Sequence, residues 1–350
     1  MTPPYAAHRT SSPALRKVAT LVAAIVLVAG CGSAQTTTTT SGTAGSSATT
    51  PLATAGATGP LGSAADQAVA ASIVVGAAPT GGAPTVSLPS SPVAVTTTTR
   101  TILTPGSGEV STLTGLIRAN ALLVKGSDGT TLDSTYGGTP LTLELNPAAV
   151  LKGLAHGLAG LPVGARALIV IPPSEGFGPT GQPDLAISGT EHLVLVVDVL
   201  AVATAGAQAT GTAVPPVAGQ PTVSFDPVAG PTITVPAGAA APTALVNQTL
   251  IEGTGTKLSA GMIVQVRYTG VLWKDGSVVD SSWPSKAFTT FSVGAGAVLP
   301  GWDAGLIGHS VGSRVLLVLP PADGYGEAGS PPKISGTDTL VFVIDILAAL

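Results

Sequence analysis

The chain has 350 residues, enough for two or three domains, yet only 9% of them are charged and 3% aromatic. Its 45 Gly and 30 Pro cannot all sit in a packed core, so a large share should be linker. A net charge of −4 with no basic run beyond the N-terminus argues against a nucleic-acid partner, and a single cysteine excludes internal disulfides and a cysteine-built metal site.

The N-terminus has the pattern of an export signal. His8, Arg9, Arg16 and Lys17 form a basic start, and Val18 to Ala29 is apolar apart from Thr20 but shorter than the ~20 residues that span a bilayer. This signal (1–30) ends on Val28-Ala29-Gly30-Cys31, which resembles a bacterial lipobox. The resemblance implies that Cys31 carries lipid and becomes the first mature residue. The protein would then be exported and anchored to the outer face of the cytoplasmic membrane, since several acyl chains at ~0.8 kcal/mol per CH₂ hold firmly. Residues 31–82 are rich in Thr, Ala, Ser and Gly without sustained periodicity, and are expected to be a disordered tether; Ser72 to Gly76 (SIVVG) is the one apolar exception.

From about residue 83 the chain repeats itself. Gly189 to Ala201 (GTEHLVLVVDVLA) matches Gly336 to Ala348 (GTDTLVFVIDILA), and Pro162 to Gly178 (PVGARALIVIPPSEGFG) matches Ser310 to Gly326 (SVGSRVLLVLPPADGYG). Asp128 to Ser134 parallels Asp275 to Ser281, and Pro84-Thr85-Val86-Ser87 parallels Pro221-Thr222-Val223-Ser224. Two copies of one domain follow, at 83–204 and 220–350, joined by a linker at 205–219. In the second copy Ile263 to Tyr268, Arg314 to Leu319 and Leu340 to Ile346 are strands, Asp275-Gly276 is a hairpin turn, and Pro300 to Ile307 is a short helix. Several strands with one helix predict an α+β domain, an antiparallel sheet with one face packed on that helix.

Chemistry is scarce. Gly308-His309-Ser310-Val311-Gly312 spells a nucleophile elbow, but that motif requires a strand before the serine and a helix after it, the reverse of the order expected here. The four histidines lack metal-ligand spacing, and no Walker loop or dinucleotide fingerprint occurs, so no cofactor or metal is expected. What remains is a set of aromatics at element ends around one acid: Tyr268, Phe288 or Phe291, Trp302, Tyr325 and Phe342 near Asp280, read as a buried carboxylate. Buried hydroxyls and a carboxylate need polar partners, which a shared cluster supplies. Gly301 beside Trp302 would allow a ligand to approach the indole.

These residues resemble the FKBP-type peptidyl-prolyl cis-trans isomerases. The resemblance runs from Glu252-Gly253-Thr254-Gly255 through Val266-Arg267-Tyr268-Thr269-Gly270, Asp275-Gly276, Asp280-Ser281-Ser282, Val298-Leu299-Pro300-Gly301-Trp302 and Gly324-Tyr325-Gly326 to Leu340-Val341-Phe342. It implies two tandem FKBP-like domains and a rotamase acting on proline-containing polypeptides. Tyr268, Asp280, Trp302, Tyr325 and Phe342 would act on the X-Pro bond, and Val279, Phe288, Phe291, Val298, Leu299 and Ile334 would line the pocket. Val279 stands where the family often has Phe, and the Trp283 to Phe291 segment is one residue longer than common. The first copy keeps Asp133 but has Ala119 for Tyr268, Leu154 for Trp302, Phe177 for Tyr325 and Leu195 for Phe342, so it is expected to be folded and weak or inactive. The alternative is a non-catalytic chaperone or binding module using the same pocket. No dimerisation signal stands out, and a monomer is expected.

Overall fold

The structure is a computed structural model that describes residues 59–88 and 93–350. The signal segment and Cys31 lie outside the described residues. The chain divides into two units, 1–202 and 203–350.

The first unit opens with α1 (Ala64–Ala71), β1 (Val74–Val75) and β2 (Val86–Ser87). Then follow β3 (Thr99–Thr104), β4 (Leu116–Lys125), β5 (Thr131–Ser134), β6 (Leu141–Glu144), helix α2 (Lys152–Leu158), β7 (Arg166–Ile171) and β8 (Leu193–Ala203). Its antiparallel sheet runs β3-β7-β8-β4-β5, with β6 also on β4. The second unit contains β9 (Thr212–Ala213), β10 (Thr222–Asp226), β11 (Gly230–Thr234), β12 (Val246–Glu252), β13 (Ile263–Leu272), β14 (Val278–Ser281) and β15 (Thr289–Ser292). Helix α3 (Pro300–Leu306), β16 (Arg314–Leu319) and β17 (Leu340–Ala349) complete it. The order β14-β13-β17-β16-β12, with β15 on β13, repeats the first unit strand for strand.

The same local chemistry builds both copies. Gly129 and Gly276 take φ of 76° and 71°, a backbone that disfavours a β-carbon, and Asp128 and Asp275 each accept from the amide two residues on. Pro300 starts α3 with its φ preset and no amide to satisfy. Both helices lie hard against their sheets. A β-carbon on Gly301 would sit 2.6 Å from Leu319, and one on Gly305 2.7 Å from Leu317; Gly153 and Gly157 stand likewise against Ile171 and Ile169. Gly301 therefore serves helix–sheet packing, and the expected role in ligand approach does not hold. The carbonyl at the end of each helix is also met from the same strand position: Arg100 Nη1 donates to Gly157 at 3.1 Å, and Asn247 Nδ2 to Gly305 at 2.8 Å.

Sequence reasoning left the outer face of each sheet bare. It is covered in both units. In the first, Ala70, Ile73, Val93 and Val95 pack on Leu122, Val124, Leu168, Val170, Val194 and Val196. In the second, Ile233 packs on Val271, Trp273, Leu316, Val318, Val341 and Val343. The signal was present: VLLVL and LVFVI are continuous apolar runs rather than alternating ones, which a strand needs only when both faces are covered. Two boundaries change with this. Residues 59–82, placed in the tether, include α1 and β1. Ser63 caps α1, and the buried Asp66 carboxylate accepts from Thr96 N (2.9 Å), Thr96 Oγ1 (2.8 Å) and Thr97 Oγ1 (3.1 Å). Residues 205–219, placed as linker, supply β9, which pairs with β12, and Ala209 N, which donates to the fully buried Asp345 at 2.8 Å.

Asp345 is also held by Arg314 through two bonds of 2.6 and 2.8 Å, and Phe225 of β10 lies 3.6 Å from that guanidinium. Arg166–Asp198 is the same pair in the first unit, and is about a quarter exposed. Burial suits the second pair because every carboxylate oxygen has a donor.

Candidate active site

Strand β13, β14 and helix α3 converge on an open cavity of about 660 Å³ in the second unit. Of the residues expected there, Tyr268, Val279, Asp280, Val298, Leu299, Trp302, Tyr325, Ile334 and Phe342 line it. Trp302 and Phe342 are 5% and 4% exposed and meet edge to face at 5.2 Å; Tyr268 meets Trp302 the same way at 5.0 Å. Edge-to-face contacts of this kind fix ring orientation as well as burying area. The indole Nε1 is buried and has no hydrogen-bond partner among the described residues.

Gly270 makes this packing possible. A β-carbon there would lie 2.4 Å from Cε1 of Phe342, so only glycine leaves room for that ring on the cavity wall. The Tyr268 hydroxyl donates to Asp280 Oδ2, while Ser281 N donates to Oδ1 at 2.8 Å. Burial, and then the neighbouring Asp280 carboxylate, hold the Tyr268 phenol well above its ordinary value, so it stays a donor at physiological pH. Asp280 itself is exposed at the rim, contrary to the expected buried acid; its apolar neighbour Val279 points inward instead. Tyr325, 43% exposed, stands on the loop after β16.

Two expected lining residues are elsewhere. Phe288 lies 5.0 Å from the Arg267 guanidinium in a cation–π contact. Phe291 is buried in the core against Trp302 at 5.8 Å, supporting the indole without lining the cavity. Position along the strand explains the difference: Thr289 and Phe291 share one face of β15, but Phe291, opposite Val264, lies in the core, while Thr289, opposite Val266, is the residue that reaches the cavity. Ala297, Ser330, Pro331, Pro332 and Lys333 were also missed. They sit in loops where no periodicity marks a face; Pro331-Pro332 is a cis peptide.

Ser310 follows helix α3 and precedes β16, so the elbow order is indeed reversed. Its neighbour His309 bonds Asn247 Oδ1 through Nε2 at 2.9 Å, and burial lowers its basicity.

At the equivalent place in the first unit the described residues form packed core. The register corrects one pairing: Gly270 opposes Asp280 as Leu123 opposes Asp133, so the counterpart of Tyr268 is Ala121, not Ala119. The hydrogen bonds agree, since Tyr268 exchanges bonds with Ser282 as Ala121 does with Thr135. Leu123 thus projects a side chain where Gly270 has none. It packs in one core cluster with Leu154, Leu195 and Ile187, with Phe177 and Leu185 against it. Val150 and Leu151 are buried there, whereas Val298 and Leu299 are half-exposed. Asp133 keeps its carboxylate with no tyrosine at the position opposite, and burial raises its affinity for a proton.

A family model described as FKBP-type peptidyl-prolyl cis-trans isomerase matches residues 119–200 and 254–347. Peptidyl-prolyl cis-trans isomerase FKBP2 of Mus musculus is 46% identical over 91 residues, which is 26% of this chain and 64% of that protein. FK506-binding protein of Streptomyces anulatus is 38% identical over 112 residues, 32% of this chain and 90% of that one. The crystal structure of the three FKBP domains of wheat FKBP73 covers 72% of this chain and 94% of its own, at 18% identity and a TM-score of 0.32. With both repeats matched, the chain belongs to the FKBP-type peptidyl-prolyl cis-trans isomerase family.

Proposed function

We propose that the second unit isomerises X-Pro bonds of polypeptides in this cavity, and that the first unit does not. The observation that carries the proposal is the open aromatic cavity in one copy and the leucine-filled core at the same place in the other. An X-Pro bond has a barrier of ~18–20 kcal/mol from amide resonance, and no acid–base pair is needed to lower it. Transfer of the imide from water to an apolar wall disfavours its charge-separated planar form relative to the twisted one. Each ~1.4 kcal/mol of that difference is tenfold in rate. Trp302 is the floor for the proline ring, and Val298, Leu299, Ile334 and Phe342 are walls. Tyr325 donates to a substrate carbonyl, and Asp280, oriented by Tyr268, acts on the twisting carbonyl of the residue before proline.

The clients are exported polypeptides if Cys31 is the lipid anchor that its sequence context suggests; the protein then works as a monomer outside the cytoplasmic membrane. The test is proline-limited refolding, or a proline tetrapeptide, with the full chain. Trp302→Ala and Asp280→Val should each lower the catalysed rate at least about tenfold. Activity left when the two substitutions are combined reads mainly the first unit and should be near background. Unchanged catalysed rates in both variants would overturn the site assignment, and a parent that binds the peptide tightly without speeding its isomerisation would favour the binding-module reading instead.

A further inference from the structure

At the cavity mouth stand two charged side chains, Asp280 and Lys333. Neither makes an ion pair within 4 Å among the described residues. Asp280 is engaged by two neutral donors, Tyr268 and Ser281. Lys333 is exposed and spends one of its three donors on a neutral acceptor, the carbonyl oxygen of Val279, at 3.2 Å. That contact places the ammonium beside the residue immediately before Asp280, at the lip of β14.

Resting on the isomerase reading above, we propose that Lys333 is a specificity residue: it favours an acidic over a basic side chain on the substrate residue immediately before the proline. Asp280 acts on the carbonyl of that substrate residue. In this proposal the side chain of the same residue runs out along the lip where Lys333 meets the Val279 carbonyl. There it meets a cation with two free donors, and the exposed Val278 next to it offers apolar surface but no competing charge. A carboxylate is the group that complements this lip; a lysine in the same place would face like charge.

The experiment uses the full chain and three tetrapeptides that differ only in the residue before proline: Glu, Leu or Lys. Exposed charge pairs are modest and screened, so the parent should prefer the Glu over the Lys peptide by about three- to fivefold in kcat/KM at low salt, with the preference fading by about 1 M salt. Lys333→Met should bring the Glu:Lys ratio close to one, and Lys333→Glu should invert it. A ratio unaffected by either substitution overturns the proposal, even where every rate falls, because a uniform fall means Lys333 acts through the shape of the cavity or through Asp280. A parent with no activity on any of the three peptides defeats the isomerase reading itself, a different result from active protein with an indifferent ratio.

Discussion

Gly270→Ala tests the geometry of the cavity with a single methyl group. The new Cβ would lie 2.4, 2.8 and 3.1 Å from Cε1, Cδ1 and Cζ of Phe342, and ordinary contact begins near 3.4 Å. The ring must therefore withdraw by about 3.4 − 2.4 = 1.0 Å. It cannot do so freely, because its other neighbours are Trp302 at 5.2 Å and Tyr268 at 6.1 Å, both lining the cavity. Overpacking of this sort costs about 1–3 kcal/mol of stability, and a 1 Å displacement of groups around a reacting bond can cost about a hundredfold in rate. Urea denaturation gives the first quantity and a proline-tetrapeptide assay the second. The expected outcome is a folded protein with a lower denaturation midpoint and at least tenfold less activity. A variant that loses stability and keeps its catalysed rate would refute the argument, since Phe342 would then have moved without consequence for the site.

Three further predictions concern the N-terminal region. Asp66→Ala removes a buried acceptor from Thr96 and Thr97, and should cost about 1–3 kcal/mol and release residues 59–88 to proteolysis while the repeats stay folded. In the parent, the backbone amide of Thr96 is the main influence pulling the Asp66 carboxyl down to about 2. Its folded value lies below the unfolded one near 4, so its contribution is complete above that pH. Protection of residues 59–88 should therefore fail as pH drops from 4 towards 2; protection that persists below pH 2 would count against the anchor. If Cys31 is lipidated, Cys31→Ala should move the protein from the membrane fraction to the soluble one when expressed with its own N-terminus, and an unchanged membrane fraction would count against lipidation.

The aromatic residues of the site were legible because they are rare. In a chain with so few rings, their clustering at the ends of repeated elements singled out Tyr268, Trp302, Tyr325 and Phe342 before any coordinates. Phe288 and Phe291 were harder. Composition names them equally, but neither lines the cavity, because β15 turns Phe291 to the core and Phe288 stands beside Arg267. The polar side of the mouth, Ser330 to Lys333, was invisible for another reason: it is loop, and a loop advertises no face.

The repeat itself, the strand and helix types, the turn glycines and the clustering of Tyr268, Trp302, Tyr325 and Phe342 were legible in the sequence alone, since periodicity and residue chemistry are local properties. The tertiary structure decided what depends on who stands opposite whom. Cross-strand register made Leu123 the counterpart of Gly270, and so turned a comparison of missing aromatics into an account of a filled cavity. Packing likewise drew residues 59–88 and 205–213 into the folded units. Their Ala, Thr and Gly look like tether until a sheet with an uncovered apolar face is there to hold them.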